Sequence, residues 1–178
     1  MPAHLVPLRH GLVLALLTLA LGFGLGAAFG AAEESLKADL AARAAAVLDS
    51  VYHGDQAKVD SVLSKSWVYY QRAHLHAGAM GTAALAMMLL LAQLDAPRRL
   101  KTATSIALGL GGLGYSSYWL LAGRAAPALG STGAAKASLE WLAVPTSGMF
   151  IVGLFVLIGV AVCRSCGSCA AGCAKSSD

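Results

Sequence analysis

Four stretches of the chain hold only apolar, small or uncharged side chains, and each is bounded by charge or proline. They run over Gly11 to Ala32, Leu75 to Leu94, Thr102 to Ala122 and Thr146 to Cys163, and none contains Asp, Glu, Lys or Arg. At 1.5 Å rise per residue each makes a helix of about 27–33 Å, matching a hydrocarbon core of about 30 Å. The pattern predicts an all-α integral membrane four-helix bundle whose solvent is the lipid bilayer.

Between the first two stretches the pattern changes. Over 33–73, Leu36, Leu40, Val47 and Val51 recur at helical spacing, with Lys37, Asp39, Arg43 and Asp49 between them. Gly54-Asp55 breaks the run, and Asp55 is a natural N-cap. Val59, Val62, Leu63 and Ser66 start a second apolar face that leads into Trp67. An extramembrane helical hairpin between helices 1 and 2 is expected. After the third stretch, Ala126-Pro127 and Gly130-Ser131-Thr132-Gly133 are turn-forming. Ala134 to Val144 then reads as an interfacial helix that Pro145 stops. Gly130 to Lys136 lacks the GxxxxGK[ST] spacing of a phosphate loop, which leaves only a small backbone nest for an anion.

Composition supports the bilayer and narrows the partners. Of 178 residues, 57% are hydrophobic and 12% charged, against about 25% charged in a soluble domain. Lys and Arg number 13 against 9 Asp and Glu. A small excess over a small total makes no dense basic stripe, so no nucleic-acid partner is expected. The short link from Asp95 to Lys101 carries Arg98, Arg99 and Lys101. By the positive-inside rule it faces the cytoplasm, together with both termini and the Cys-rich tail 163–178. Trp67, Tyr69, Tyr70, Tyr115, Tyr118, Trp119 and Trp141 then fall near the outer boundary, as an aromatic belt would. Two readings of residues 1–30 stand open. Arg9, the apolar run and Ala28-Phe29-Gly30 resemble a cleaved signal peptide. The length of that run and the Gly22, Gly26, Gly30 face instead suit a retained helix that lets a neighbour approach closely.

The stretches Arg72-Ala73-His74-Leu75-His76-Ala77-Gly78, Ala126 to Lys136 and Glu140-Trp141-Leu142-Ala143 resemble an uncharacterised family of small bacterial four-helix inner-membrane proteins. The resemblance implies a multi-pass protein of the bacterial inner membrane. It carries no activity and no catalytic residues.

Three groups of residues could support chemistry. His74 and His76 lie about 200° apart on a helix, so they cannot share a ligand; His76 and Met80 are i,i+4 and do share a face. Imidazole with thioether suits copper or an axial position on haem. In a second reading Arg72, His74, His76, Arg124, Lys136 and Glu140 gather at the outer boundary beside Tyr115, Tyr118, Trp119 and Trp141; Glu140 accepts a hydrogen bond from one histidine, and the cluster, which needs His76, Glu140 and one of Tyr115 or Tyr118 to converge, holds a quinone, a lipid head group or a small anion. The third group is Cys163, Cys166, Cys169 and Cys173, spaced C-x2-C-x2-C-x3-C. That spacing resembles an iron–sulfur run, although Ala174 replaces the usual proline and no second run exists. Four thiolates could otherwise hold zinc. No span contains the charged residue that a proton relay or ion pathway needs, and no hydrolase or kinase motif appears. The expected role is a non-catalytic subunit or assembly partner of a larger membrane complex, with protein partners inside the membrane. The alternative is a haem- or metal-binding membrane electron carrier that uses His74, His76 and Met80 or the Cys163–Cys173 run.

Overall fold

The computed structural model describes residues 2–174, with side chains described as far as Cys163. Among the described residues the chain is helical throughout and has no strand. A 3-10 helix, Ala3–Leu8, leads into α1 (Arg9–Ala45). The rest comprises α2 (Leu48–Val51), α3 (Gln56–Gln93), α4 (Arg98–Leu129), α5 (Thr132–Ala137) and α6 (Glu140–Ala174).

The arms of the expected hairpin are extensions of longer helices. Residues 33–45 complete α1 and residues 56–73 open α3. At 37 residues, α1 reaches about 55 Å. Its backbone leaves helical geometry at Ala32 (φ −142°, ψ 25°), where the apolar run meets Glu33-Glu34. The chain reverses through α2. His53 (φ 54°) and Gly54 (φ 77°) both take left-handed backbone there, and Asp55 caps α3 by accepting from Lys58 N–H at 2.9 Å. Tyr52 locks this reversal to the far end of α4: its buried hydroxyl donates to the Pro127 carbonyl at 2.8 Å.

Three helical segments are long and apolar enough to cross a membrane among the described residues: His4–Ala45, Gln56–Gln93 and Glu140–Cys163. The third predicted span falls short of this, and its surroundings explain why. α4 packs against α1, α3 and α6. Its buried positions include Thr104, Ser105, Gly109, Gly111, Gly112, Gly114 and Ser116. A helix enclosed by protein needs small side chains for close approach more than it needs leucines for lipid. A Cβ on Gly109 would lie 2.7 Å from the Gly11 carbonyl oxygen of α1, and one on Gly111 2.7 Å from the Phe150 nitrogen of α6.

Two prolines behave differently from expectation. Pro127 lies inside the last turn of α4, and Pro145 lies inside α6 instead of stopping a preceding helix. Around Pro145 the Thr146 hydroxyl donates to Leu142 O at 2.6 Å and Ser147 to Ala143 O at 2.8 Å. These bonds use carbonyls of the turn that proline disturbs. The supposed anion nest is also filled. Ser131 Oγ accepts from the N–H groups of Gly133 and Ala134 at 3.1 and 3.3 Å and so caps α5.

Candidate functional site

His74 and His76 leave α3 toward different neighbours. His74 turns to α1, where its Nδ1–H donates to Gly22 O at 2.8 Å and the ring meets Phe29 edge-on at 5.8 Å between centroids. A Cβ on Gly26 would lie 2.9 Å from that ring. Two of the three spaced glycines in α1 therefore receive α3: Gly22 approaches the Gly78 backbone and Gly26 the His74 imidazole. Gly30 faces open space.

His76 turns to α4. Its Nδ1–H donates to Arg72 O at 2.8 Å, and its ring lies 5.3 Å from Tyr115 and 5.9 Å from Trp119. A carbonyl partner accepts only, so Nδ1 carries the proton of this bond, and in the neutral tautomer Nε2 keeps its lone pair. The Arg72 guanidinium stacks over Trp119 at 4.9 Å and faces Tyr69 at 5.6 Å. Tyr69 and Tyr118 meet Trp119 edge-on at 4.9 and 5.1 Å. Each aromatic pair adds about 0.5–1.5 kcal/mol beyond the area it buries. The indole Nε1 of Trp119 is buried without a hydrogen-bond partner, which costs about 1–3 kcal/mol in a folded protein. Leu139, Leu142 and Ala143, from the α5–α6 turn and the start of α6, close over the group.

The cluster is thus Arg72 and His76 on α3 with Tyr115, Tyr118 and Trp119 on α4, and Tyr69 joins it. Sequence reasoning placed Tyr69 only in the aromatic belt. Its spacing held the signal: 69, 72 and 76 repeat at i+3 and i+4 along one face, as do 115, 118 and 119 along the other.

The other candidates are placed differently. Glu140 is exposed at the start of α6, near enough to Tyr118 to act on its phenol electrostatically, while the His76 Nδ1–H is taken up by Arg72 O of its own helix and not by Glu140. Met80 lies one turn beyond His76 and packs against Gly112 of α4. Among the described residues no three His, Cys, Asp or Glu side chains gather in a way that could hold a metal ion. Cys163 is a free, exposed thiol. The side chains of Cys166, Cys169 and Cys173 lie outside the described residues.

The chain matches no known family, no curated protein and no solved structure.

Proposed function

We propose that this is a multi-pass protein of the bacterial inner membrane, a four-helix bundle with an outer helical hairpin and both termini in the cytoplasm. It serves as a non-catalytic subunit or assembly partner of a larger membrane complex. The observation that supports this is how the buried hydroxyls are satisfied. Thr18, Ser66, Ser116 and Thr146 each donate to a carbonyl four residues back on their own helix, at 2.6–2.8 Å. Hydroxyls paired within their own helices are not held out for a ligand, so recognition falls to the outer surfaces. The broadest apolar one is α6, which packs on α4 and exposes Ile151, Val152, Phe155, Ile158 and Val162.

A photo-crosslinker placed at Phe155 in intact membranes tests the reading. A discrete protein adduct is expected from this position and not from Lys65 on the hairpin. Adducts with lipid alone at Phe155, and at Ile151 beside it, would overturn the partner role.

A second reading rests on His76. Its Nε2 lone pair would offer one ligand to a haem iron or a copper ion, whereas the unpaired Trp119 N–H and the Arg72 guanidinium would offer donors to a quinone carbonyl. This is the electron-carrier alternative. A visible absorption band in purified protein, lost in His76→Ala and kept in His74→Ala, would favour it. Iron and zinc analysis of the same sample tests the Cys163–Cys173 run.

A further inference from the structure

The two ends of the molecule differ in charge. Segments 33–73 and 123–145 carry seven basic and seven acidic residues. The ion pairs seen among the described residues are there: Lys37 with Glu33 and Glu34, and Arg43 with Asp39. At the opposite end the 3-10 helix, the start of α1 and the α3–α4 turn supply Arg9, Arg98, Arg99 and Lys101, with His4 and His10, against one carboxylate, Asp95. Asp95 lines a cavity on the α6 side, with Leu100, Val156 and Cys163.

Arg98, Lys101 and Arg9 line two adjoining cavities apart from that one. A cleft of about 350 Å³ lies between the 3-10 helix and the turn, lined by His4, Val6, Pro7, Ala96, Arg98 and Lys101. A smaller one of about 170 Å³ shares Val6, Pro7 and Arg98 with it and adds Arg9, His10 and Thr102. The lining thus joins apolar Val6, Pro7 and Ala96 to cationic Arg98 and Lys101.

Several features of this lining favour an oxyanion. α4 begins after Pro97, which provides no side-chain cap, and has no acidic residue in its first turn. The backbone bond from Lys101 N–H to Pro97 O, at 3.0 Å, closes that turn. The N–H groups before Lys101 have no acceptor within the helix. Arg98, Arg99 and Lys101 add positive charge where the helix dipole is already positive, which a bound anion would relieve. Lys101 is also held in place, since its ammonium donates to Ala92 O at 3.1 Å.

We propose that this cleft binds a phosphate or phosphoester anion, with Arg98 and Lys101 on the phosphate oxygens and Val6 and Pro7 against the adjoining carbon. The source is an anionic phospholipid head group or a free phosphate, and the role of the chain in a complex is not assumed. The full chain in dodecyl maltoside is titrated with dihexanoyl phosphatidylglycerol, dihexanoyl phosphatidylcholine and sodium phosphate, and binding is read by thermophoresis. Saturable binding of phosphatidylglycerol and weak binding of phosphatidylcholine are expected. The double variant Arg98→Gln/Lys101→Gln should weaken it roughly thirtyfold, at about fivefold for each cation near an anionic surface. Lys65→Gln/Lys136→Gln, with the same charge change at the other end, should leave it unchanged. Circular dichroism and gel filtration confirm folded variants, and Arg98→Gln alone serves if the double variant unfolds. Displacement of the lipid by millimolar phosphate supports the site and makes free phosphate its source; binding without displacement supports the site and makes the lipid its source. Equal binding of the two lipids, or equal loss in the Lys65/Lys136 variant, overturns the proposal.

Discussion

α4 and α6 are both long, uncharged over most of their length and packed against each other, yet they are built on opposite rules. α4 has α1, α3 and α6 around it and buries glycine, serine and threonine. α6 packs on α4 and turns Ile151, Val152, Phe155 and Ile158 outward. The more apolar helix is thus the less enclosed one. Within a bilayer, apolar side chains report contact with lipid or a partner, while small side chains report contact with another helix. Hydropathy alone therefore ranks these two helices in the reverse order of their burial.

The comparison breaks first at Gly111. Its Cβ position lies 2.7 Å from Phe150 N and 2.8 Å from Thr146 O, both backbone atoms that cannot rotate aside. Gly111→Leu should separate α4 from α6 and cost about 3 kcal/mol, read as a lower unfolding midpoint in detergent. Gly159→Ala on α6, where nothing lies within 4 Å, should be neutral or stabilise by up to about 1 kcal/mol, from helix propensity. Equal losses in the two variants would show that the contrast is absent.

Leu108 is fully buried and packs against Gly153 of α6. Leu108→Ala should cost about 2–3 kcal/mol through the cavity it leaves, measured in the same melts.

A smaller effect comes from the polar end of α4. Tyr52→Phe removes the hydrogen bond to Pro127 O and should cost about 1 kcal/mol at neutral pH. Burial raises the pKa of Tyr52 above 10.0, its ordinary value. The folded state thus favours the neutral phenol. Its contribution is complete below the ordinary value and is lost as pH climbs through the raised one. Alkaline unfolding should accordingly be shallower in Tyr52→Phe than in the parent chain.

The smallest effect is at Phe155, which is 66% exposed. Phe155→Ala should shift the midpoint of the isolated chain by less than about 0.5 kcal/mol. A larger loss would mean that α6 is covered within a single copy of the chain.

The candidate cluster was partly legible in advance. The separation of His74 from His76 followed from helical geometry alone, since a 100° step per residue sends neighbours two apart to opposite faces. The pairing of Arg72 with Trp119 did not, because 47 positions separate them in the chain and only the α3–α4 packing brings them together. Glu140 shows the converse. It stands two positions from Leu142, which covers the cluster, yet its own side chain points to solvent.

By itself the sequence determined that the chain is helical, where the long apolar runs lie and where charge gathers, because these depend on local period and composition. It also set the reversal at Gly54-Asp55, through a left-handed backbone and an N-cap that act within a few residues. Tertiary structure alone decided that α4 is the enclosed helix, that Pro127 and Pro145 sit inside helices, and that each histidine serves a different neighbour. Those outcomes depend on which faces meet. Close packing fixes that through contacts between residues far apart in the chain, where no local pattern reaches.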